Sequence, residues 1–135
     1  MPGTRYPRKM INEMPVVAAP TEVDITNAEE LRAVLLDATS GGHPTVVLDM
    51  TRTRFCDSAG MNTMVRAHRR AQAEGGELRV VVPGDGAVPS AFALICLDRI
   101  IPCFASVQEA LAQTSAAANS GQVIALSAYR RRRQK

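Results

Sequence analysis

Thr45-Val46-Val47-Leu48-Asp49-Met50, Phe55-Cys56-Asp57-Ser58-Ala59-Gly60 and Leu78-Arg79-Val80-Val81-Val82 are the three pieces of sequence that decide the fold. The first and last are short apolar runs, the pattern of strands buried on both faces of a parallel sheet. Between them Met61, Met64, Val65, His68, Ala71 and Gln72 keep helical spacing until Glu74-Gly75-Gly76 supplies a stop. Strand, helix and strand at this distance make a βαβ unit, whose crossover is expected to be right-handed.

Working outward toward the N-terminus, Glu22-Val23-Asp24-Ile25-Thr26 precedes Thr26-Asn27-Ala28-Glu29, which fits a capping box. Leu31, Val34, Leu35 and Ala38 then follow at i, i+3, i+4 and i+7, an amphipathic helix ending at Ser40-Gly41-Gly42. Ile11 to Val17 with its Asn12-Glu13 pair suggests a short hairpin, and Val16 to Ala19 a strand ended by Pro20. Residues 1–10, with two prolines and a glycine, read as a flexible leader.

Toward the C-terminus, Ala91 to Ile95 predicts a short apolar helix after Pro89-Ser90, and Arg99 to Phe104 a last strand. Ser106-Val107-Gln108-Glu109 forms a second capping box for Ala110-Leu111. The element order is β-α-β-α-β-α-β-α, an α/β domain over 11–113. A low-complexity, basic tail follows over 114–135.

At 135 residues the chain has room for one domain, and 46% hydrophobic with 21% charged residues is ordinary globular composition. The net charge of +3 conceals polarity. Arg5, Arg8 and Lys9 near the start, with Arg130 to Arg133 and Lys135 at the end, leave eight basic residues between Met10 and Tyr129 against all 13 acidic ones, a net of −5 there. The arginine run has only Tyr129 beside it, too little for a stacking platform, so direct nucleic-acid binding is not expected. Cys56, Cys96 and Cys103 lack close pairing and read as small buried hydrophobes in a reducing compartment. No run is long and apolar enough to span a membrane and no secretory signal opens the chain, so a cytoplasmic location is expected.

Ser58 falls at or beside the N-cap of the central helix, and capping alone would account for a serine there. Three sharper readings compete. A serine hydrolase would want G-x-S-x-G, but position 56 is Cys, and the only histidines, His43 and His68, fall in a turn and on a helix. A phosphate-loop NTPase lacks its G-x-x-x-x-G-K-[ST]. In the third reading Ser58 is a substrate for another enzyme. No metal site is expected, because His43 and His68 lie in different elements without a suitably spaced carboxylate. Glu29 and Glu30 point to different sides of their helix and serve its N-terminal charge rather than catalysis.

Here the sequence resembles the STAS family, found in bacterial anti-sigma factor antagonists and at the cytoplasmic ends of sulfate transporters. The matching residues run from Glu22 to Arg32, through Val46-Val47-Leu48-Asp49-Met50 and Phe55-Cys56-Asp57-Ser58-Ala59-Gly60-Met61. They continue in Ala67 to Ala71, Gly76 to Val81, Leu94 to Phe104 and Ser106 to Leu111. Asp57-Ser58-Ala59-Gly60 is the most specific piece. The stretch before Glu22 departs from the pattern: it is short and proline-interrupted, so a truncated or irregular leading hairpin is expected.

The resemblance implies a mixed, mostly parallel sheet of four to five strands with about four helices. It implies a non-enzymatic bacterial regulator of transcription, without catalytic residues, cofactor or metal. The unphosphorylated form would bind an anti-sigma factor that is also a serine kinase. Phosphorylation at Ser58 would end that binding, and a serine/threonine phosphatase would reset it. Asp24, Thr26, Asp57, Ser58, Ala59, Gly60, Met61, Thr63 and Met64 are the residues expected at the partner surface. The alternative is a constitutive scaffold or ligand-binding module of the same fold in a larger signalling or transport assembly.

Overall fold

The sheet grows from a two-residue turn. Asn12 and Glu13 both adopt positive φ, 52° and 65°, the geometry that lets a tight hairpin follow the natural strand twist. They join β1 (Arg8–Ile11) to β2 (Met14–Ala18) as an antiparallel pair with Ile11 opposite Met14. The computed structural model describes residues 6–40, 42–94 and 96–112; the expected tail over 114–135 lies outside the described residues. The leading hairpin is regular, contrary to expectation. The leader expected to end at residue 10 overlaps β1, and Tyr6 is already buried, donating its hydroxyl to the Asn27 carbonyl at 3.1 Å.

From β2 the sheet continues in parallel through β4 (Val46–Asp49), β6 (Leu78–Val81) and β7 (Cys103–Phe104), giving the order β1-β2-β4-β6-β7. A separate parallel pair, β3 (Glu22–Val23) with β5 (Phe55–Cys56), lies beyond the end of β4. The described residues hold four α-helices, α1 (Ala28–Thr39), α2 (Ser58–Ala73), α3 (Ala87–Leu94) and α4 (Val107–Ala112), with a 3-10 turn at Leu97–Arg99. This is the mixed, mostly parallel architecture expected from the sequence.

Strand alternation divides the core. Val46 and Leu48 of β4 and Leu78 and Val80 of β6 face α1, α2 and α3, where Leu31, Leu35, Met64 and Phe92 pack in one cluster. Val47, Val81 and Phe104 face the other way, against Ala110 of α4. Arg79 shares that second face. It is buried to 1% exposure, its Nε pairing with Glu77 at 2.7 Å and its Nη1 donating to the Ala110 carbonyl at 2.6 Å.

Three local expectations need correction. The capping box at Thr26 does not form: the Thr26 hydroxyl donates to Asp24, and Asn27 stands at the cap position of α1 with its side chain turned back. Its Oδ1 accepts from the Asp24 amide and its Nδ2 donates to the Glu22 carbonyl, both at 2.9 Å. Helix α3 starts at Ala87 and carries Pro89 in its first turn, where a missing amide hydrogen leaves no helix bond unmade. The expected strand from Arg99 is shortened by a 3-10 turn, in which the Leu97 carbonyl accepts from the Ile100 amide at 2.9 Å and the Ile101 amide at 3.0 Å; only Cys103–Phe104 pair as strand. At the second expected capping box Ser106 Oγ accepts from the Glu109 amide at 3.1 Å, and the Glu109 carboxylate accepts from the Ala105 amide, one residue before the cap, at 3.4 Å.

Candidate functional site

Asp57, not Ser58, caps α2. Its extended backbone turns the Oδ1 atom to the Gly60 amide at 3.0 Å, satisfying one of the donors a helix start leaves orphaned. Its second oxygen, Oδ2, accepts from the Ile25 amide at 3.2 Å, and its own amide bonds the Val23 carbonyl at 3.1 Å. One carboxylate thus ties the loop after β3 to the start of α2. Ser58 is the first residue of the helix, exposed, and its hydroxyl makes no hydrogen bond among the described residues.

Gly60 fixes how closely that turn sits on its neighbours. A Cβ there would meet Val23 Cγ1 at 2.7 Å and Cys56 Sγ at 2.9 Å, both closer than side-chain carbons approach. Burial, aided by the Asp57 charge, pushes the Cys56 thiol up to about 12, so it stays protonated and acts as packing. On the facing loop, Asp24 Oδ1 accepts from the Thr26 amide at 2.9 Å as well as from its hydroxyl. Ile25, between them, is 77% exposed.

Of the residues expected at the partner surface, Asp24, Thr26, Asp57, Ser58 and Ala59 come together around this turn, at least partly exposed. Gly60, Thr63 and Met64 do not belong to a surface. Thr63 and Met64 point into the core, and Gly60 is buried against Val23, its amide held by Asp57. Asn62, one position before Thr63, is the exposed polar residue of that turn. Met61 is buried, at 8% exposure, and lines an apolar groove of about 390 Å³ between α2 and the α3 region, with Ser58, Val65, Leu94, Leu97 and Ile100. A more polar cleft of about 500 Å³ opens elsewhere, between Arg52, Arg54 and Asp85, and does not include Ser58.

Neither histidine can act as a base for Ser58. His68 is buried in α2 with its Nδ1 accepting from the Leu78 amide at 3.1 Å. Burial lowers its pKa below 6.5, reinforced by Arg69 and opposed by Glu77 and the Ile100 carbonyl, so the ring is neutral near pH 7. His43 is half-buried in the turn before β4. Among the described residues no group of three or more metal-ligating side chains gathers. Of the cysteines, Cys56 and Cys103 are buried as expected, but Cys96 is exposed, at a φ of 60° between α3 and the 3-10 turn.

The start of α2 thus displays an exposed serine hydroxyl beside an aspartate cap, on a small α/β domain. The STAS domain model matches residues 7–110, and the chain belongs to that family. Its fold is similar to an anti-sigma factor antagonist from Mycobacterium paratuberculosis, with 22% identity, a TM-score of 0.71, and coverage of 78% of this chain and 89% of that one. It is also similar to the anti-sigma factor antagonist SpoIIAA, a Bacillus cell fate determinant. The unphosphorylated form matches at 23% identity and a TM-score of 0.66, covering 78% and 92% of the two chains. The phosphorylated form matches at 23% and 0.60, covering 78% and 96%. At this identity the likeness establishes the fold. No curated protein sequence matches significantly. Among the described residues no helix is long and apolar enough to cross a membrane.

Proposed function

We propose that this chain is an anti-sigma factor antagonist that works by partner switching. Unphosphorylated, it binds an anti-sigma factor that is also a serine kinase, and so frees a sigma factor for transcription. Phosphorylation of Ser58 by that partner ends the binding, and a serine/threonine phosphatase restores it. The chain itself catalyses nothing and acts in the bacterial cytoplasm.

The observation that carries this reading is the division of labour at the start of α2: Asp57 makes the cap, and the exposed Ser58 hydroxyl has no structural duty. Modification therefore leaves no fold interaction broken. A phosphate there would meet helix amides and the positive end of the dipole, worth about 0.3–2 kcal/mol. It would also add a charge of about −1.5 to −2 beside Asp57 and Asp24, where a docked partner would have to desolvate it. SpoIIAA, similar in fold, has a phosphorylated form.

Affinity capture from a lysate of the source organism, with wild type, Ser58→Ala and Ser58→Asp as baits, tests the proposal. Retention of an ATP-binding kinase by the alanine bait but not the aspartate bait, with phosphate on wild-type Ser58, is the expected result. Identical capture by all three baits and an unmodified Ser58 would move the chain to the constitutive scaffold role.

A further inference from the structure

Ser58 also forms one end of the apolar groove, and what lines the rest of it identifies a kind of partner. Along α2 the groove is lined by Ser58, Met61, Asn62 and Val65, and Arg69 follows one turn beyond Val65, about 16 Å along the helix from Ser58. Opposite stand Ala91 and Leu94 of α3, with Leu97 and Ile100 of the turn that follows. Leu94 is 83% exposed and Ile100 43%, unusual for large apolar side chains, and both line the groove.

Away from the Ser58 end, where Asp57 stands, the exposed charges flanking the groove are basic, and Asp98 between Leu97 and Arg99 is buried. Helix α2 contains no acidic residue, and α3 contains no charge at all. Arg66 and Arg69 on the outer flank of α2 and Arg99 beside Ile100 make no ion pair with any described residue, whereas Arg70 of the same helix is taken by Glu74 at 3.2 Å. An apolar trough between two helices, with free guanidinium groups along its far half, matches an amphipathic helix with an apolar stripe and acidic residues beside it.

We infer that the groove between α2 and the α3 region docks an acidic amphipathic helix of the partner, about three turns long. Its apolar residues seat against Met61, Val65, Leu94 and Ile100, and its carboxylates face Arg66, Arg69 and Arg99. For its regulation this inference rests on Ser58 being the phosphorylated position. A phosphate on Ser58 would place a dianion at the end of the apolar trough. It would also repel the acidic helix, so that desolvation and charge oppose docking together.

Selection of randomised helices, displayed at about four turns in length, against the full unphosphorylated chain tests this without knowledge of the partner. The expected winners carry apolar residues at i, i+3 or i+4, and i+7 with net negative charge. They bind about tenfold or more weakly to Leu94→Asp and to Arg69→Glu, both exposed positions whose variants are checked for an unchanged circular dichroism spectrum. Failure to enrich any helix, winners that are neutral or basic, or winners indifferent to Leu94→Asp overturn the docking surface. Winners that need Leu94 and Arg69 but bind Ser58→Asp as well as wild type leave the groove standing and remove the switch.

Discussion

Two helices of this domain begin with a serine, and the two serines do opposite things. At α4, Ser106 stands just outside the helix and its hydroxyl accepts from the Glu109 amide, a structural cap. At α2, Asp57 occupies that place, and Ser58 moves one position inward with its hydroxyl released. The residue type is the same and so is the distance from the helix start, to within one residue. What differs is whether an aspartate precedes the serine, and that decides between a group spent on stability and one left for chemistry.

The largest effect that sharpens this contrast lies on the structural side. Replacing Arg79 by leucine leaves the Ala110 carbonyl and Glu77 without their buried partner, and should cost about 3 kcal/mol in urea unfolding. The loss should loosen α4 while leaving modification of Ser58 unchanged.

Gly60→Ala comes next. The added carbon must push α2 away from Val23 and Cys56, at about 1–3 kcal/mol, and should shift amide resonances of the Ser58 turn far more than those around Ser106.

His68→Leu should cost about 1–3 kcal/mol at neutral pH by orphaning the Leu78 amide. It should also flatten the pH dependence. The pKa of His68 is lower folded than unfolded, so below about 6.5 the unfolded chain binds the proton first. Wild-type stability must therefore fall as pH drops from that value, and the leucine variant should lack that slope.

The smallest effects discriminate best. Asp57→Ala and Ser106→Ala should each cost about 1 kcal/mol, as lost caps do, whereas Ser58→Ala should change stability by no more than about 0.5 kcal/mol. Thermal melts of the three variants compare them directly. A Ser58→Ala loss as large as that of Ser106→Ala would erase the distinction.

The sequence made the centre of the fold legible because its signals there are long. The apolar runs of β4 and β6 and the spacing from Met61 to Gln72 each repeat several times, and the structure follows them. The β3 and β5 pair was not legible, since two residues each carry no period. Helix α3 was misjudged at its start because Pro89 reads as a boundary, although a first-turn proline breaks no hydrogen bond. The partners of Arg79 left no trace, because a buried apolar run does not say what an arginine within it will pair with until α4 is seen to lie over it.

At the site, the motif over 57–60 marked the turn where Asp57 and Ser58 stand, but which of the two caps the helix could not be read. Asp57 and Ser58 are both good caps, and adjacent residues compete for one position. Two remote contacts settle the register: the Ile25 amide on Asp57 Oδ2, and the fit of Gly60 against Val23. Thr63 and Met64 were expected at the surface with their neighbours, yet they fall on the inward side of α2.

The most direct test of the central claim is site-resolved mass spectrometry of the full chain after incubation with ATP and a lysate of the source organism, paired with a melting curve of the modified protein. A single phosphate on Ser58, none in the Ser58→Ala variant, and a melting temperature essentially unchanged by modification are expected. Phosphate on Ser106 or Thr26 instead, or a modified chain that no longer folds, would contradict that claim.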